Sequence, residues 1–281
     1  MFRWLLERRR RRLTREPFPD SWEEILHRNV AHFGLLEDAR KARLRALIQV
    51  FVAECNWEGA GGLEVTDEVR VTISAQACML LLGLSIDHYR NVGSVVVYPS
   101  TVVSTPHSPG FFETPLEPVE EEVPIDGEAH PQGPVVIIWD AALESGRNPG
   151  SGFNIVYHEF AHKLDMLDGL ADGTPPMRDR TQHREWVKVC SREYLRLKKA
   201  AGAGRRTFLD AYGAEDEAEF FAVATEQFFD SPHLMVRHAP DLYRVLRDFY
   251  RQDPAGHVPG GERGREIPGV RRRRRKPAGG P

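Results

Sequence analysis

The chain has too few cysteines for a disulfide framework. Cys55, Cys78 and Cys190 are odd in number and show no CxxC spacing, which fits a reducing compartment. Cys78 sits in the apolar run Ala77-Cys78-Met79-Leu80-Leu81-Leu82, where a buried thiol is the natural reading. No apolar stretch is long enough to span a membrane. The opening Met1-Phe2-Arg3-Trp4-Leu5-Leu6 is too short for a signal-peptide core, so a cytoplasmic location is expected. A surplus of positive charge is also missing. The formal net charge is -3, which gives no global pull towards nucleic acid. There is no internal repeat.

What is present fits an ordinary folded protein. Of the 281 residues, 41% are hydrophobic and 28% charged, enough apolar surface for a proper core. Basic charge gathers at 8–12 and again at 271–276. The plain reading is solvated chain ends, and the sharper one is weak contact with RNA or anionic lipid. The expectation is no membrane partner and no nucleic-acid partner.

Periodicity divides the chain into a basic arm over 1–18, held loosely, a main domain over 19–254 and a disordered basic tail over 255–281. Apolar residues at helical spacing predict helices from Ser21 to about Phe33 and from Leu35 to Cys55. A third runs from Thr66 or Asp67 to Leu82, although Val69 to Ile73 alternates like a strand. Strands are predicted at 92–98 and 134–140. Between them, 104–134 is rich in proline, glycine and glutamate and reads as a long exposed loop. A helix is expected over 153–168 with Gly169 closing it, followed by helices at 182–200, 215–230 and 239–251. The fold class is α+β, mainly helical with a small β-sheet.

The chemistry concentrates in His158-Glu159-Phe160-Ala161-His162. On a helix, residues four apart share a face, so both imidazoles can address one metal ion, and Glu159 can reach a water there without binding the metal. Zinc in such sites takes a third protein ligand and keeps one position open. The extended H-x-x-G-x-x-H form is absent, because Asp165 and Asp168 stand where it needs glycine and histidine. Glu219 is the leading third ligand. It shares a face with Ala222, Val223 and Glu226, where a buried carboxylate needs a cation. Asp210, in Asp-x-Tyr-Gly, is the alternative. Asp165 and Glu226 are candidates for orienting a ligand imidazole. The strand before the metal helix is either an edge for an extended peptide or interior to the sheet.

These motifs, His158 through Asp165 and then Tyr212 with Glu219-Phe220-Phe221-Ala222-Val223, resemble the Mlc titration factor A family of zinc peptidases. The spacing from Tyr212 to Glu219 is also similar to the catalytic domain of anthrax lethal factor. The resemblance spans roughly residues 20–256, with only the two zinc-site motifs highly specific. It implies a zincin-like domain with one zinc ion per chain, held by His158, His162 and Glu219. It further implies Glu159 as general base and Tyr212 as a donor to the oxyanion, with peptides as substrates in an aminopeptidase-like reaction. A Mlc-like transcriptional repressor is the partner it implies. A non-catalytic regulator that binds such a repressor is the competing function.

Overall fold

The computed structural model describes residues 2–100 and 133–257. The predicted acidic loop, apart from its last two residues, and the tail from 258 lie outside the described residues.

Phe2–Leu13 forms α1, followed by α2 (Asp20–Asn29), α3 (Ala31–Gly34) and α4 (Asp38–Glu54). Val30 interrupts what the spacing predicts as one helix. It takes an extended φ of -129°, while its own side chain and Phe33 are still buried. Leu44, Leu47, Ile48 and Phe51 form the core stripe of α4. Next come strand β1 (Asn56–Gly59) and α5 (Asp67–Met79), which is enclosed on all sides from Val71 onward. The strand-like alternation at 69–73 therefore belongs to a buried helix. β2 (Ser94–Tyr98) is the central strand of a three-stranded parallel sheet in the order β1-β2-β3. β3 (Val135–Ile138) flanks it on the side away from β1. In register, Trp57 pairs with Val95 and Val95 with Val135. Val95 and Val97 are fully buried on one face of β2, while Ser94, Val96 and Tyr98 on the other are half-buried.

The second half is helical: α6 (Trp139–Arg147), α7 (Ile155–Asp165), α8 (Arg180–Gly202), α9 (Glu217–Asp230), α10 (Pro232–His238), α11 (Pro240–Tyr250) and the short α12 (Pro254–His257). α7 packs against α5, α6, α9 and β3, which makes it the hub. Its core side is aromatic: Phe160 contacts Phe51 and Tyr89 at ring-centre distances of 5.6 and 5.0 Å. Lys163 on α7 is buried and donates from Nζ to the Gly133 carbonyl (2.7 Å), fixing the helix to the approach of β3.

Further elements differ from the sequence expectation: α10 was not predicted, and α12 runs into the tail expected to be disordered from 255. The strand predicted to reach Asp140 ends at Ile138, and Trp139 opens α6. The buried face of α6 is small, Ala142, Ser145 and Gly146, and a Cβ at Gly146 would meet the Asn29 carbonyl at 2.4 Å. No apolar periodicity announces such a face. β1 was not expected either. It has no β-branched residue and exists through its pairing with β2. The loosely held arm contains α1, which is tied down: Arg10 donates to Glu54 (2.7 and 2.9 Å) and to Asp87 (2.6 Å).

Phe160 is completely buried at the junction of α4 and α7. Phe160→Ala is expected to lower the unfolding free energy by about 3–5 kcal/mol, read by denaturant titration. A loss below about 1 kcal/mol would show that α7 is not the hub.

Candidate metal centre

Asn154 sets the start of α7. Its side chain accepts from the Tyr157 N–H (2.9 Å), a proper N-cap, while its Nδ2 donates to Gln76 on α5 (2.8 Å). The helix turns through His158, Glu159 and His162 and runs on into a 3-10 turn over Met166–Asp168. Gly169 closes it in the left-handed conformation (φ 98°), as the sequence predicts. α9 begins at a second cap, where Asp216 accepts from the Glu219 N–H (2.8 Å). Glu219 thus stands in the first turn, where the helix dipole favours a carboxylate.

The two helices bring their polar groups to one point. His158 Nε2 and His162 Nε2 face each other at 3.2 Å. Glu219 Oε2 lies 3.1 Å from the first nitrogen, and Oε1 lies 3.5 Å from the second. One donor atom from each of the three residues lies within 4.8 Å of the others. Two imidazole nitrogens and a carboxylate oxygen converging in this way form a donor set suited to a divalent cation. Asp210 is not part of it: its carboxylate caps the Tyr212 N–H (2.9 Å) at the head of the 3-10 turn Ala211–Ala214.

Glu226, one turn of α9 beyond Ala222, is almost fully buried and lies behind His158. Its Oε1 is 2.8 Å from His158 Nδ1, and its Oε2 accepts from the Asn154 N–H at 2.6 Å. With a cation in place of its Nε2 proton, His158 would still donate from Nδ1 to this carboxylate and present the Nε2 lone pair to the shared point. Burial alone would lower the His158 imidazole, but Glu219 and Glu226 outweigh it and push it up to about 10. Burial would raise the Glu219 carboxyl, yet the two histidines hold it well below the usual carboxylate range. Both shifts come from a site that stabilises positive charge between these groups.

Glu159 is electrostatically coupled to the same groups. Burial raises its carboxyl above the ordinary value. The two imidazoles oppose that, while Glu219 and Glu226 add to it. Tyr212 lies with its ring centre 5.9 Å from that of His158. The structure does not bring Asp165 to an imidazole nitrogen. Its Oδ2 accepts from the Gly173 N–H (2.8 Å), and both Asp165 Oδ1 and His162 Nδ1 are buried without a hydrogen-bond partner. Sequence reasoning missed Asn154 and Gln76. An asparagine just ahead of an apolar helix is a legible cap signal, whereas Gln76 carries none.

The profile of the family described as glucose-regulated metallo-peptidase M90 matches residues 4–251. A protein of Synechocystis sp., described as uncharacterized, is 33% identical over 252 residues, 89% of this chain and 90% of that protein. The Mlc titration factor A of Pectobacterium atrosepticum is 32% identical over 257 residues, covering 85% of this chain and 88% of its own. The protein of the same name from Salmonella agona is 32% identical over 219 residues, covering 76% and 80%.

Glu226→Ala removes the acceptor from both His158 Nδ1 and the Asn154 N–H. It is expected to weaken binding of a divalent metal ion by about 10–100-fold, measured by competition with a chromogenic chelator. Unchanged affinity would mean that Glu226 does not orient His158.

Proposed function

The chain belongs to the glucose-regulated metallo-peptidase M90 family, and from that premise we propose that it is a zinc-dependent peptidase with Glu159 as its general base. The observation that carries the reading is the convergence of His158, His162 and Glu219 on one point. These three residues would hold one zinc ion, a set of two nitrogens and one oxygen that leaves a position open for substrate or water. A bound zinc ion supplies Lewis acidity, lowering the pKa of water towards about 7 and polarising a carbonyl.

The protein's own groups do the rest. Glu159 accepts the proton of the attacking water and hands it to the departing amine. Its raised carboxyl suits that exchange, because the protonated form is then reached nearer neutral pH. The Tyr212 phenol donates a hydrogen bond to the carbonyl oxygen as charge develops there. Glu226 keeps the His158 ring in one tautomer and one orientation. Among the described residues β3 pairs with β2 alone, and Val136 on it is 38% exposed. An extended peptide pairing with that edge would run beside α7. The resemblance to the Mlc titration factor A family adds short peptides and aminopeptidase-like cleavage. Among the described residues no helix is long and apolar enough to cross a membrane, and a cytoplasmic enzyme fits this.

A second reading rests on the name that the relatives carry, Mlc titration factor A. It has this chain bind a Mlc-like transcriptional repressor, with or without peptide cleavage. The two readings part at Glu159. Glu159→Gln is expected to cut hydrolysis of aminoacyl and longer peptide substrates by about 10²–10⁴-fold while zinc content stays unchanged. A zinc-loaded wild type that cleaves no peptide yet binds a repressor would favour the second reading. Tyr212→Phe is expected to lower kcat by about 10²-fold with little change in KM. A KM-only effect would remove Tyr212 from the reaction.

A further inference from the structure

Exposed apolar side chains scattered singly are normal on any protein surface. Among the described residues, the large ones at Leu35, Val136, Leu170, Val187, Leu195 and Val236 are of that kind. Trp4, Leu5 and Leu6 are different. They stand consecutively, 61%, 51% and 37% exposed, at the head of α1. The sequence of α1 carries six arginines against one glutamate, and Arg15 follows two residues after it.

Leu6 faces the same side as Arg9 and Arg10, beside Phe51 of α4, but the helix cannot turn Trp4 and Leu5 inward. Arg9 donates to the Ala53 carbonyl (2.9 Å), and Arg10 is forked onto Glu54 and Asp87. This fixes one face of α1 against the end of α4. At about 100° per residue, Trp4, Arg8, Arg11 and Arg12 fall on the other side with Leu5 at its flank, and all five are exposed, as is Arg15 in the turn after the helix. The Arg8 guanidinium lies 5.5 Å over the Trp4 ring, which confirms that these two share a face.

We propose that this outward face of α1 docks onto a membrane surface that carries anionic lipids. The charge is complementary, since a cluster of four to eight basic residues on a helix is the electrostatic signature of binding to acidic headgroups. The apolar end decides between polyanions. A nucleic acid answers the arginines and can stack a base on Trp4, but it leaves the aliphatic Leu5 with little to contact. A bilayer offers headgroup charge and, a few ångströms deeper, an apolar layer. Tryptophan settles at that boundary, and a helix with this composition lies in its plane. The proposal goes beyond the sequence expectation of no membrane partner, at this helix alone. The contact is peripheral and independent of the metal centre.

The test is co-sedimentation of the full-length protein with vesicles of phosphatidylcholine alone and of phosphatidylcholine with phosphatidylglycerol. The wild type should pellet with the mixed vesicles and stay in the supernatant with the neutral ones. Trp4→Ala with Leu5→Ala, at unchanged net charge, should weaken partitioning by about tenfold. Arg8→Glu with Arg12→Glu should abolish it. These are exposed side chains, so circular dichroism and Tm should match the wild type. Four results would overturn the proposal: no wild-type binding, apolar variants that bind normally, charge-reversed variants that bind normally, or single-stranded RNA that displaces the vesicles and binds the apolar variant as tightly as the wild type.

Discussion

One buried carboxylate organises the centre of this protein. Glu226 reaches from α9 to accept the Asn154 N–H with one oxygen and to meet His158 Nδ1 with the other. Asn154 in turn caps α7 and reaches Gln76 on α5. Four points of three helices are thereby linked by hydrogen bonds, and one of them is an imidazole at the metal centre. Such a network is useful only when complete, because each unpaired buried member would cost the full desolvation of its group. The position of His158 is therefore set by the core, not by the cation it would hold.

Much of this was legible in the sequence, for reasons that differ from residue to residue. The histidine pair was legible because both ligands lie within one helical turn, where spacing alone fixes geometry. Gly169 was legible because the left-handed conformation that ends a helix favours glycine. Glu219 and Glu226 were legible as candidates, since carboxylates on an apolar helix face need partners. The choice of Glu219 over Asp210 as the residue that meets the histidines, however, depended on how α9 meets α7. The tertiary details were not legible. Asp165 has the right spacing to face an imidazole and is instead engaged by the Gly173 N–H, because the chain after α7 folds back under it. β1 and α6 escaped for a related reason: one depends on a distant strand, and the other buries small residues with no apolar stripe.

The charge distribution teaches the same lesson at the surface. A net charge of -3 describes the chain as a whole and hides how α1 is arranged. Only the anchoring of Arg9 and Arg10 to α4 and its surroundings separates the arginines that hold the helix in place from those that face outward. A residue count cannot make that distinction, because it is a property of where a helix is pinned.

The donors at the metal centre come from two helices with all of α8 between them. Any cation they share is also a reversible clip that closes a long loop of chain. An ion held by the native state and not by the unfolded chain shifts the folding equilibrium by mass action. The unfolded chain holds it poorly because gathering the same donors there would mean closing that long loop at a cost in entropy. Metal availability in the cell would then govern how long each molecule survives unfolding and proteolysis, as well as whether it can react.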